Sequence, residues 1–211
     1  MKNAGGIGSM SNRARIHARR KPGALIGPNA VLQAVAVMEE RLGHAETAAI
    51  LADAQITRLP SGEHMIPEVD ALRLHRWLAL HDPMGALVIA EESGARTADY
   101  IIANRIPRAA AWLLRRLPAR IAAPLLMGAI RKHAWTFIGA GDFAPDGAWH
   151  FAIDRSAADD SIPPPDSLFL WYAAVFTRLY RALVAQDCEC RMAEPEQDFP
   201  PRRAYAIRRT A

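Results

Sequence analysis

The sequence predicts an α+β fold: N-terminal helices packed with a small antiparallel sheet, whose two hairpins flank an aromatic-rich helix. Three observations carry that prediction. Apolar residues recur at helical spacing through the first half, punctuated by Pro and Gly. Asp146-Gly147 then separates two β-prone runs, a hairpin signal. Finally, residues 168–183 place Phe169, Tyr172, Phe176, Tyr180 and Leu183 on one stripe and Leu168, Trp171, Val175 and Leu179 on another. Such a helix is buried on most of its circumference.

In chain order, residues 1–24 are rich in Gly, Ser, Asn and Arg, lack a hydrophobic period and read as a disordered basic tail. The ordered domain is expected to span 25–209. Ile26-Gly27-Pro28-Asn29 makes a rigid entry to a helix carrying Val31, Leu32, Val35, Met38 and Leu42, which Gly43 stops. A shorter helix runs from His44 to about Ala54. Pro60, Ser61-Gly62 and Pro67 make 55–67 a loop. Pro67-Glu68 opens a third helix, the carboxylate favouring the positive end of the dipole. Asp82-Pro83 ends it and begins an alanine-rich helix to about Ile106, weakened locally by Gly85 and Gly94. Pro107, Pro118 and Pro124 divide the next stretch into short or kinked helices, where Arg115, Arg116 and Arg120 stand beside Leu113, Leu114, Leu117 and Ile121. That basic amphipathic surface reads as a snorkelling solvent face or as a docking patch.

After Lys132 the pattern becomes β-like. Phe137-Ile138 is expected in the first strand, and Trp149, Phe151 and Ile153 on the apolar face of the second. Residues 156–165 form a polar, proline-rich loop, and Asp166 or Ser167 is expected to cap the aromatic helix. Cys188–Ala193 and Ala204–Arg208 then read as two short strands around a Pro/Glu/Asp loop.

Charge is unevenly spread. Residues 1–21 carry six basic and no acidic side chains, and 201–211 carry four arginines and no acid, leaving 16 basic against 22 acidic residues in 22–200. An acidic body with basic ends does not match a nucleic-acid-binding face, so no nucleic-acid partner is expected. The two cysteines, Cys188 and Cys190, are too few for a disulfide framework, which fits a reducing compartment. No secretory h-region and no run of about 18 apolar residues occurs, so the expected location is cytoplasmic, at most peripheral to a membrane.

Recognisable catalytic motifs are absent. Gly139-Ala140-Gly141 lacks the third glycine and the βαβ context of a dinucleotide loop. No nucleophile elbow is present. The seven histidines show no zinc-helix spacing, and two thiols fall short of the four ligands of a structural zinc, so no metal site is expected. His133 precedes Trp135 and Phe137. Its imidazole reads either as an ordinary surface histidine or as an axial ligand to the metal of a tetrapyrrole. The aromatic group of Trp135, Phe137, Trp171 and Tyr172 reads as core or as the wall of a flat apolar site.

Four stretches add a resemblance: Ile26-Gly27-Pro28-Asn29-Ala30, PEVDALRLHRWLALHDP at 67–83, RIPRAAAWLLRRLPARIAAPLLMGAIRKHAWTF at 105–137, and LWYAAVFTRLYRALV at 170–184. Together they resemble the bacteriochlorophyll 4-vinyl reductase family, over about residues 25–209. The resemblance implies a 4-vinyl-reductase domain, similar in fold to TRAPP subunits and haem–nitric-oxide-binding domains and often dimeric. It implies a place at the 8-vinyl (4-vinyl) reduction of divinyl protochlorophyllide, either as catalyst or as a carrier. A carrier would bind a porphyrin, free or with magnesium, or a chlorophyllide intermediate and deliver porphyrin to magnesium chelatase. A third role is a dimeric adaptor docking pathway enzymes. His133, Trp135, Phe137, Trp171 and Tyr172 are the ligand-binding residues expected on this reading. Cysteines that hold zinc in many such domains are replaced here around Ser167-Leu168 and in Arg203–Ile207.

Overall fold

The computed structural model describes residues 23–155, 163–194 and 201–210. The tail expected at 1–24 lies almost wholly outside the described residues, as do much of the 156–165 loop and the loop before residue 201.

Helix α1 (Asn29–Leu42) buries Val31, Ala34, Val35, Val37 and Met38, the side chains its helical period places on one face. It ends at Gly43, whose φ of 88° suits a residue without Cβ. Helix α2 (His44–Asp53) follows. A two-stranded pairing then appears that periodicity did not predict: β1 (Leu25–Ile26) and β2 (Ile66–Pro67) are antiparallel, with Ile26 opposite Ile66. Two residues per strand are too few to show alternation. Helix α3 (Glu68–His81) starts directly from β2. Asp82 caps α4 (Pro83–Asn104) by accepting from the Gly85 N–H at 2.9 Å, with Pro83 at the tolerated first position.

Helices α5 (Arg108–Arg116) and α6 (Ala119–His133) form an arm whose inner residues are small or apolar: Ala111, Ala122, Ala123, Leu126 and Met127 are buried. A single helical turn, α7 (Trp135–Ile138), ends at Gly139 with φ 58°. The expected strand at Phe137-Ile138 is therefore corrected to a helical turn. Its carbonyls are taken by tertiary donors, which local propensity does not reveal. The hairpin instead pairs β3 (Asp142–Asp146) with β4 (His150–Asp154). Pro145 is tolerated because β3 is an edge strand. Gly147, with φ 73°, makes the turn the Asp-Gly signal predicted. Trp149 lies in that turn rather than in the strand and packs on Tyr180, ring centroids 5.7 Å apart.

Helix α8 (Asp166–Leu183) is the axis of the molecule. The expected side-chain cap is not formed. Pro165 occupies the cap position, Asp166 pairs with Arg203 at 2.8 Å, and the Ser167 hydroxyl turns to His75. Strands β5 (Cys188–Met192) and β6 (Arg202–Arg209) complete an antiparallel sheet in the order β3-β4-β6-β5. Both thiols are unpaired and face the core, and burial raises both above the ordinary thiol range.

One face of the sheet packs on α8. Phe151 stacks between Phe176 (4.1 Å) and Tyr205 (4.6 Å), and the Tyr205 hydroxyl donates to the Phe169 carbonyl at 3.0 Å. The opposite side of α8 lies on α4, where Gly94 comes so close that a Cβ would sit 2.6 Å from the Trp171 carbonyl oxygen. Between sheet and α4, α8 is buried on both of its predicted stripes. The outer face of the sheet is floored by Ala144, Ala152 and Ala204, in register across three strands, beneath a shallow concavity of about 650 Å³.

Candidate functional site

A buried polar cluster holds α7, the turn that carries Trp135 and Phe137 of the five expected residues. Glu68, at the start of α3, is buried and accepts from the Ala140 N–H at 2.9 Å and from Arg155 Nη2 at 3.1 Å. Arg155, directly after β4, is buried too and donates through Nη1 to the Ile138 carbonyl at 2.8 Å and to the Tyr172 hydroxyl at 3.4 Å. The Tyr172 hydroxyl in turn donates to the Phe137 carbonyl at 3.1 Å. Burial raises the Tyr172 phenol above its ordinary range, with the Arg155 charge opposing that shift, so the hydroxyl remains a donor. On the other side, the Gly27 N–H donates to the Thr136 carbonyl at 2.7 Å. The carbonyls of Thr136, Phe137 and Ile138 and the N–H of Ala140 are thus all held by tertiary partners. A Cβ at Gly139 would overlap the Glu68 carboxylate, so this close approach requires glycine.

The clamped turn is a ledge. Trp135 is 63% exposed and His133, at the last position of α6, is exposed as well. Phe137 is half-buried, edge-on to Phe143 at 5.6 Å and tilted on Tyr172 at 6.2 Å. Trp171 and Tyr172 are buried, 4% and 2% exposed, and meet each other edge-on at 5.1 Å. The structure therefore divides the five expected residues. His133 and Trp135 are exposed, Phe137 packs on the core rings of Phe143, Tyr172 and Phe176, and the Tyr172 hydroxyl holds the turn through the Phe137 carbonyl. Trp171 offers no free face in this conformation. None of the five lines the concavity on the outer face of the sheet.

Glu68 and Arg155 were missed by the sequence reading. Glu68 has an ordinary explanation at a helix start, and Arg155 follows an apolar strand without any local partner to betray it. His75, on α3, is buried against α8, with Nδ1 3.1 Å from the Ser167 hydroxyl oxygen. Burial lowers its pKa to about 4.

No protein-family model matches the chain. The bacteriochlorophyll synthase 23 kDa chain of Cereibacter sphaeroides is 42% identical over 163 residues, covering 75% of this chain and 78% of that protein. That of Rhodobacter capsulatus is 39% identical over 161 residues, covering 75% of each. The chain belongs to the family of bacteriochlorophyll synthase 23 kDa chains. Neither relative bears the vinyl-reductase name that the resemblance implied. The fold is similar to that of H-NOX proteins. An unliganded Fe(II) H-NOX mutant from K. algicida gives a TM-score of 0.56 at 10% identity, covering 88% of this chain and 97% of that one. A mutant H-NOX of T. tengcongensis gives 0.52 at 9%, covering 88% and 98%. The α+β class is that of the sequence prediction. No helix among the described residues is long and apolar enough to cross a membrane.

Proposed function

We propose that this protein is a tetrapyrrole-binding accessory of bacteriochlorophyll biosynthesis, a carrier acting around the 8-vinyl reduction step and delivering porphyrin to magnesium chelatase. The pathway is supported by the names of the two relatives. A tetrapyrrole ligand has support from a fold whose solved members include an H-NOX studied for heme distortion, at a TM-score of 0.50 and 8% identity.

The observation that carries the reading is the ledge itself. An indole left 63% exposed is held on a clamped helical turn, two residues along the chain from an exposed imidazole. A flat macrocycle stacks on an indole through offset π contact, and a neutral imidazole ligates its magnesium. Phe137 would extend the apolar surface, Tyr172 would keep the ledge rigid, and Trp171 would stand in the core behind it. Rigidity serves binding because a preformed surface loses little entropy on complex formation.

Titration of the full-length protein with protoporphyrin IX and with its magnesium form tests this. A saturable Soret shift with tryptophan quenching is expected at micromolar ligand. Trp135→Ala is expected to weaken both forms about tenfold. His133→Ala is expected to weaken the magnesium form selectively. Absence of a saturable change would overturn the reading. Turnover of divinyl protochlorophyllide by the purified protein with a supplied reductant would replace carrier by catalyst.

A further inference from the structure

From the α5–α6 arm we infer that this protein docks on an anionic lipid bilayer, with Trp112, Leu113, Ile121 and Leu125 entering the interface and the surrounding arginines meeting lipid phosphates. The first observation is exposure. Trp112 is 55% exposed and Leu125 52%, with Leu113 and Ile121 close behind. Ile121 and Leu125 are one helical turn apart on α6, opposite the buried Ala122, Ala123, Leu126 and Met127, so the arm is apolar outside as well as inside. A soluble surface helix ordinarily turns a polar face outward.

Charge is the second, independent observation. Residues 100–141 contain seven basic residues and no acid, whereas the rest of the 22–200 body contains nine basic residues against 22 acidic ones. None of the ion pairs found among the described residues involves 100–141. Among the described residues, therefore, no acidic side chain of the body pairs with the arm's cations. Arg116 lies over the Trp112 ring at 4.5 Å, placing a cation at the edge of the apolar surface. Exposed Trp and Leu rimmed by arginine match the boundary between acyl chains and anionic headgroups. The contrast within the molecule is instructive. A second exposed apolar stripe, Leu80, Met84 and Val88, shares its stretch with Asp82, Glu91 and Glu92, and an anionic surface would repel it.

The test uses the full chain with vesicles of phosphatidylcholine alone or mixed with phosphatidylglycerol. Co-sedimentation with the anionic vesicles only, lost at high salt, is expected. Arg116→Ser with Arg120→Ser should lower partitioning about 25-fold, at about fivefold for each cation. Trp112→Ser with Leu125→Ser should lower it at least tenfold with the circular dichroism unchanged, since both side chains are exposed. Arg13→Ser with Arg15→Ser matches the charge loss outside the arm and should have the smaller effect. Equal loss in this control, or retention by the arm variants, overturns the inference. So does binding to neither vesicle, or arm variants that dissolve a homodimer without altering lipid binding. The assay contains no tetrapyrrole and leaves His133 and Trp135 in place, so its failure is separate from failure of the carrier reading.

Discussion

Arg155→Met removes the cation from the buried pair that clamps α7, and its effect follows from the hydrogen bonds that the guanidinium makes. The Glu68 carboxylate would keep only the Ala140 N–H, and the Ile138 carbonyl would be left without its donor. Breaking one side of a buried ion pair costs about 3–5 kcal/mol, because the remaining charge stays desolvated. Arg155 is 3% exposed, so water does not substitute for the missing partner without opening the fold. In a chain of this size that loss lowers the melting temperature by about 2–4 °C per kcal/mol, hence by about 6–20 °C in all. Urea unfolding followed by circular dichroism and by tryptophan fluorescence measures it. The double variant Glu68→Gln, Arg155→Met buries no charge and is expected to recover at least about 1 kcal/mol of the single variant's loss. A single variant within about 1 kcal/mol of the parent, or a double variant as unstable as the two singles summed, would refute the clamp.

Three further outcomes are expected. Gly94→Ala adds about 1 kcal/mol of helix propensity but forces a Cβ to within 2.6 Å of the Trp171 carbonyl oxygen and 2.8 Å of Ala174 Cβ, so a net loss of about 1–2 kcal/mol should appear in urea unfolding. His75 has its pKa lowered by burial from 6.5 to about 4, so the unfolded chain takes up a proton there before the folded one does. Its contribution is complete above pH 6.5 and is lost as the pH falls towards 4, about 3 kcal/mol at most; His75→Gln should flatten the stability profile in that window, and an unchanged slope would exclude His75 as its source. Gly139→Ala requires both φ 58° and overlap with Glu68, and should lower stability by about 2 kcal/mol or more by thermal unfolding, whereas Gly128→Ala, open to solvent, should be neutral or stabilising.

Much of the fold was legible because it rests on local patterns. The two stripes of α8 announced a helix covered on two sides, and Gly43, Asp82-Pro83 and Asp146-Gly147 marked boundaries the structure keeps. Phe137-Ile138 is β-prone locally but folds as a helical turn because Tyr172 and Arg155 take its carbonyls. Likewise, Asp166 and Ser167 are good capping residues locally, but Arg203 and His75 engage them. Of the candidate site, the sequence supplied its residue types and neighbourhood, His133 to Phe137. It could not distinguish Trp135, left exposed, from Trp171, buried on α8, because both are tryptophans in apolar company.

What the sequence alone determined was the α+β class, the helix boundaries set by Pro and Gly, and the uneven charge. Those properties depend on residues close along the chain. Tertiary structure decided which aromatics face out, where the arm's cations stand relative to the acidic body, and that Glu68 and Arg155 meet. The latter two are 87 positions apart, and only the folded chain brings the first residue of α3 and the residue after β4 to within 3.1 Å. A buried pair has no periodicity to read, since its energy lies wholly in a contact that exists after folding.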